Sequence, residues 1–177
     1  MYAILNDGQV TQVGELAILF PDTSSPNASF AQEQGALEVV EGEQKDQRFY
    51  WVTFSHYQVN GSVVTRTYTN TPKALEDKLE TKEDGSPLYV QVWDEATQAM
   101  VDTTEQVVTK GLKSTLIAQA KQAANSQLAQ TDWTVVRKAE RNIDIPADVA
   151  AKRAAILAEC DAKITSIQSA TTVEELM

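Results

Sequence analysis

The chain has 177 residues, 42% hydrophobic and 23% charged, enough for one sizeable core or two modest ones. A single cysteine, Cys160, excludes an internal disulfide framework, and His56 with Cys160 is too few soft ligands for a structural zinc site. The net charge of −10 is carried by the first part: residues 1–108 hold 17 acidic groups against 6 basic, residues 109–177 hold 8 against 9. That balance argues against nucleic acid or an anionic membrane surface as a partner, because both need Lys/Arg patches.

The opening Met1-Tyr2-Ala3-Ile4-Leu5 lacks a basic leader, and no apolar run approaches the ~20 residues of a membrane span. The expectation is a protein that folds and acts in a cytoplasm, or leaves it inside an assembly. Asn6-Asp7-Gly8 between short apolar runs predicts a hairpin, with strands at 2–5 and 9–13. Glu15 to Phe20 reads as a short helix stopped by Pro21, and Pro21 to Asn27 as a loop. Asn27-Ala28-Ser29 and Asn60-Gly61-Ser62 match the glycosylation pattern and, with a cytoplasmic protein expected, are expected to be chance matches.

Glu38 to Glu41 reads as a strand, followed by a charged, solvated loop over 42–47 whose carboxylates lack calcium-ligand spacing. Arg48 to Val59, dense in aromatic and β-branched residues, is the best strand signal in the chain. Asn60-Gly61 turns it back into a partner strand over 62–69. Alternation places Tyr50, Val52, Phe54 and His56 on one face, with Phe49, Trp51, Thr53 and Ser55 on the other. His56 is the only histidine; with no nucleophile motif near it, a structural or surface role is the reading. Residues 71–80 are ambiguous between a short helix and a charged edge strand. Leu88 to Trp93 is a clean strand, and a last short strand is expected at 98–101. The first part is thus expected to be antiparallel hairpins, with no glycine-rich phosphate loop.

From about residue 102 the texture turns helical, which places a β-rich domain at 1–103 and a helical arm at 104–177. Leu112, Leu116, Ile117, Ala120, Ala124 and Leu128 form one apolar stripe. Pro146-Ala147-Asp148-Val149 opens a second long helix, lined by Val149, Ile156, Cys160, Ile164 and Ile167. Cys160 on that stripe reads as a core filler rather than a nucleophile. Thr172 to Glu175 is a capping box for a third helix. Alanine buries little area, so two such helices alone make a marginal hairpin that wants a third surface: the β domain, a second copy or another protein.

Between the long helices, Thr131-Asp132 caps a short helix running to about Arg141. Trp133 and Val136 face one way, with Arg137 and Arg141 beside them. From the residues alone, Trp133 plugs the corner of the arm in preference to touching a partner, and Arg137, Lys138 and Arg141 form a solvated face. Any partner of that face should be acidic.

Leu128-Ala129-Gln130-Thr131-Asp132-Trp133, leading into Arg137-Lys138-Ala139-Glu140 and followed by Ile145-Pro146-Ala147-Asp148-Val149 and Arg153-Ala154-Ala155-Ile156, resembles the C-terminal segment of the tailed-phage tail fibre assembly proteins. The likeness covers about 112–177 and includes the ending Thr171 to Leu176. Met1-Tyr2-Ala3, Asp7-Gly8 and Leu19-Phe20-Pro21 resemble the leading segment of small phage tail proteins that carry this module. The resemblance implies a chaperone without catalytic or cofactor chemistry. It would bind the fibre protein in the host cytoplasm and help it trimerise or attach.

The expected partner-binding residues are Trp133, Val136, Arg137 and Arg141. The acidic sheet part departs most from the short family members, which keeps a rival open: a baseplate, fibre or tail-tip protein retained in the virion. The expected fold class is α+β, an antiparallel β-rich N-terminal region followed by a helical C-terminal arm.

Overall fold

Helix and strand take near-equal shares, 36% and 32%, in an α+β arrangement with sheet first and long helices last. The computed structural model describes all residues 1–177. The chain divides into two compact units, Met1–Pro72 and Lys73–Met177. This differs from the boundary expected after residue 103. The strands beyond Pro72 pair among themselves, and the link residues Ala74, Leu75 and Asp77 bond the start of the first long helix, so this stretch belongs with the helices.

The first unit holds β1 (Tyr2–Asn6), β2 (Gln9–Gly14), α1 (Leu16–Leu19), α2 (Ala28–Glu33), β3 (Leu37–Glu41), β4 (Tyr50–Asn60) and β5 (Val63–Pro72). Its five strands lie in the order β2-β1-β3-β5-β4. The first hairpin turns on Asp7 (φ 49°) and Gly8 (φ 76°), the two positive values that a two-residue turn of matching twist requires. The sheet is mixed rather than wholly antiparallel, because β3 and β5 run parallel. This follows from where the crossover lands: residues 42–49 carry the chain across to β4, and the hairpin return places β5 beside β3. Asn70 holds that crossing, accepting from the Lys45 N–H at 3.0 Å and donating to the Glu43 carbonyl at 3.3 Å. The charged loop is therefore an ordered crossover.

The face assignment along β4 holds through Phe54 and fails at His56. One extra residue enters β4 between Phe54 and Tyr57, opposite Tyr68 and Arg66 of β5. This bulge flips the alternation, as a one-residue slip must. Tyr50 and Val52 turn inward, Phe54 keeps their side of the register but stays largely exposed with its ring against Tyr57, His56 is exposed, and Tyr57 and Val59 take over the inner side. Thr67 stitches the bulge, its hydroxyl donating to the His56 carbonyl at 2.6 Å and accepting from the His56 N–H at 3.3 Å. The core of this unit is Ala3, Ala31, Ala36, Phe49, Tyr50 and Val64.

The second unit holds β6 (Lys78–Leu79), β7 (Tyr89–Asp94), β8 (Ala99–Gln106), β9 (Val108–Thr109), α3 (Leu112–Ala129), α4 (Asp132–Arg141), α5 (Ala147–Ser169) and a closing 3₁₀ turn at Glu174–Leu176. The stretch 71–80 resolves as the end of β5, an irregular link and the two residues of β6. The last strand runs well past residue 101, and the helix begins at Leu112 rather than near 104. The β-branched residues Val101, Thr103, Thr104, Val107, Val108 and Thr109 explain the longer strand run.

The foot of α3 is closed by residues 74–77. Ala74 and Leu75 carbonyls accept from the Leu112 and Lys113 N–H groups at 2.9 and 3.0 Å. Asp77 accepts from the Gly111 N–H at 2.8 Å and from Lys110 Nζ at 3.0 Å. These bonds satisfy donors that a helix start leaves open. Held first by the Gly111 N–H, then by Ser114 and Lys110, the Asp77 carboxyl is lowered to about 2 from its ordinary 3.8. A depressed carboxylate stabilises the fold fully above its unfolded pKa, and the contribution fades as pH falls through the folded value. The gap in thermal midpoint between wild type and Asp77→Asn is therefore expected to be full at pH 6 and to close between about pH 4 and pH 2. A gap that stays constant from pH 6 to pH 2 contradicts this capping account.

The two long helices pack along the expected stripes. On α3 these are Leu112, Leu116, Ile117, Ala120, Ala124 and Leu128; on α5 they are Val149, Ile156, Cys160, Ile164 and Ile167, joined by Arg153. No residue of α5 is fully buried, as small alanine contacts dictate. The expected third helix is a single 3₁₀ turn. Its Glu175 carboxylate accepts from the Thr171 and Thr172 N–H groups, and these bonds hold its pKa below the ordinary range. No helix is long and apolar enough to cross a membrane.

Candidate partner-binding surface on the short helix

The helix α4 begins and ends where its sequence says. Asp132 in its first turn and Lys138 and Arg141 in its last complement the helix dipole. Asn142, at φ 53°, closes it in the left-handed conformation, its N–H donating to the Lys138 carbonyl at 3.0 Å. Thr131 is not a side-chain cap. Its hydroxyl donates to the Leu128 carbonyl at 3.1 Å and accepts from Arg153 Nη1 at 2.7 Å.

Arg153 is the tie of the whole joint. Reaching from α5, its Nη1 also donates to the Leu128 carbonyl at 2.8 Å and pairs with Asp132 at 2.9 Å. Hydrogen bonds from a charged donor to a mostly buried site are worth about 1.5–3 kcal/mol. Arg153→Ala is expected to cost about 2 kcal/mol in urea unfolding. A loss too small to resolve would mean the joint is held by the apolar stripes alone.

Trp133 does not plug the corner. It is 59% exposed, and the corner is filled by Thr134, 1% exposed, whose hydroxyl donates to the Thr131 carbonyl at 2.7 Å. A small side chain takes the inner position because α3 and α4 meet closely there, and the tryptophan is turned outward. The Arg137 guanidinium lies over its ring, 4.8 Å from the centroid. Arg137 Nε is buried by this stacking and has no acceptor within the chain. Val136 is 51% exposed, and Arg141 makes no hydrogen bond or ion pair. Trp133, Val136, Arg137 and Arg141, with Glu140, line one open hollow along α4. All four residues singled out in the sequence therefore share one outward face. Lys138, placed with the arginines beforehand, instead pairs with Asp144 at 2.5 Å.

The other chemically suggestive residues gather nothing comparable. His56 Nδ1 lies 3.0 Å from Ser55 Oγ and 3.2 Å from Thr67 Oγ1, on the exposed bulge and with no carboxylate in the set. Cys160 is half-buried in the α5 stripe, beside Ala120, Ala123 and Ala124. No group of three or more His, Cys, Asp or Glu side chains is placed to hold a metal ion.

One surface escaped the sequence reading. Across the β7–β8 hairpin, Trp93 faces Met100 and Val92 faces Val101, and all four are exposed. The signal was the adjacency of Val92 and Trp93: two apolar neighbours in a strand point to opposite faces, so both faces need cover. Compared with family models, with curated proteins and with solved structures, the chain matches none.

Proposed function

We propose that this protein is a phage tail fibre assembly chaperone that binds the fibre protein and aids its trimerisation or attachment. One observation carries the reading: the segment that resembles the fibre-assembly module presents its tryptophan and arginines outward, where the fold makes no use of them. A large aromatic left in water, backed by an arginine on its face, is the composition of an interface hot spot. The role needs no bond-making step and no cofactor. Partner contact at Trp133, Val136, Arg137 and Arg141 would take place in the host cytoplasm during assembly.

Co-expression of the fibre protein with and without this chain tests the proposal. The expected result is soluble, trimeric fibre only when both are made. Equal yields of soluble trimer in the two cultures would overturn it.

A second reading, a structural protein of the baseplate, fibre or tail tip, is supported by the β7–β8 hairpin. A two-stranded ribbon with apolar side chains on both faces is marginal alone and suits a permanent interface. Finding the chain at fixed stoichiometry in purified particles would favour this reading over a transient helper.

A further inference from the structure

We infer that the partner segment bound along α4 is extended and acidic, its same-side residues reading apolar, acidic, acidic. The inference rests on the fibre-binding reading and adds the chemistry of what is bound. Its first support is charge. In residues 109–177, Lys110, Lys113, Lys138, Arg153 and Lys163 are each paired with a carboxylate of the chain. Arg137 and Arg141 are not, and they stand one turn apart on the same outward face. Lys121 and Lys152 also lack a carboxylate, but they sit on helices that carry no aromatic residue.

The nearby acids do not cancel this face. Asp132 is taken by Arg153 and Asp144 by Lys138. Glu140 alone lines the hollow with the two arginines, which leaves a local positive excess. The second support is spacing. Trp133, Arg137 and Arg141 follow at four-residue steps, a rise of about 6 Å each along the helix. Same-side residues of an extended strand recur every ~6.7 Å. A strand crossing α4 can therefore set an apolar side chain on Trp133 and Val136 and one carboxylate on each arginine. The flat Arg137 guanidinium is already stacked on the indole, 4.8 Å from its centroid, and a guanidinium held in one plane suits the two-point hydrogen bonding of a carboxylate.

The test uses the full chain and four synthetic peptides. Two are Thr-Leu-Thr-Glu-Thr-Glu-Thr and its reverse; two carry Gln in place of Glu. Binding is followed by NMR at the indole N–H of Trp133 and the Nε–H of Arg137, with Trp51 and Trp93 as internal references. At least one acidic peptide is expected to shift the Trp133 and Arg137 signals, with affinity at least tenfold above its Gln counterpart and falling with added salt. The double variant R137Q/R141Q, checked for folding by circular dichroism, is expected to abolish the difference. Equal response to Glu and Gln peptides, no response at Trp133, or shifts centred on Trp51 or Trp93 would overturn the inference.

Co-expression separates this failure from failure of the underlying reading. Fibre yield that depends on this chain and on Trp133 but not on Arg137 and Arg141 rejects the acidic segment and leaves the chaperone standing. Fibre yield independent of the chain removes both.

Discussion

Trp133→Ala is expected to weaken binding of the fibre protein at least 30-fold while leaving the thermal midpoint within about 2 °C of wild type. The binding loss follows from hot-spot behaviour, where truncating a central aromatic costs about 2 kcal/mol or more. The unchanged stability follows from exposure: the ring is mostly in water, and substitutions away from buried features usually stay within about 0.5 kcal/mol. The combination is diagnostic. A corner plug would give the opposite pattern, with a large loss of stability and binding lost only through unfolding. Thr134 is the internal contrast, since it occupies the buried side of the same turn. A midpoint drop of many degrees for Trp133→Ala would return the tryptophan to a structural role.

Gly111→Ala is expected to be the most destabilising single methyl in the chain. A Cβ at this position would lie 2.5 Å from the Leu75 carbonyl oxygen and from the Glu76 carbonyl carbon and oxygen. These are backbone atoms, and the Leu75 oxygen also accepts from the Lys113 N–H, so they cannot swing aside as a side chain would. Overpacking of this kind costs about 2–3 kcal/mol, or roughly 5–10 °C in a domain of this size. Gly14→Ala is the control. There the new Cβ meets the Leu19 and Ile18 side chains at 3.6 Å and beyond, ordinary contact with groups free to adjust. Thermal unfolding of the two variants should differ plainly. Equal midpoints would show that residues 74–77 do not grip the helix start.

Much of this architecture was legible because it is local. The Asp7-Gly8 turn, the stripes of α3 and α5, and the bounds of α4 each follow from a repeat or a cap within a few residues. What was not legible depends on contacts distant in the chain. The parallel pairing of β3 with β5 is decided by where a crossover lands, and alternation in either strand is silent on its neighbour. The bulge at Ser55 and His56 reverses the faces of β4 without any glycine to announce it.

The α2 helix had a readable start. Asn27 accepts from the Phe30 N–H at 3.0 Å, and Gly35 follows the end at φ 74°. The Ser, Asn and Pro residues before it read as a loop over 21–27, and residues 28–37 drew no assignment from sequence. For the candidate site, spacing correctly put Trp133, Val136, Arg137 and Arg141 together. Periodicity does not say which side of a helix is covered, so the outward turn of Trp133 had to come from packing. Arg153, whose bonds tie α5 to the joint, was visible only as part of the family likeness.

Amide hydrogen exchange of the chain, alone and with the fibre protein, tests most directly whether α4 is what grips another protein. Protection on binding is expected to concentrate in residues 132–141, with α3 and α5 little changed. Protection confined to the β7–β8 hairpin or to the first unit, with 132–141 exchanging as in the free chain, would contradict the account.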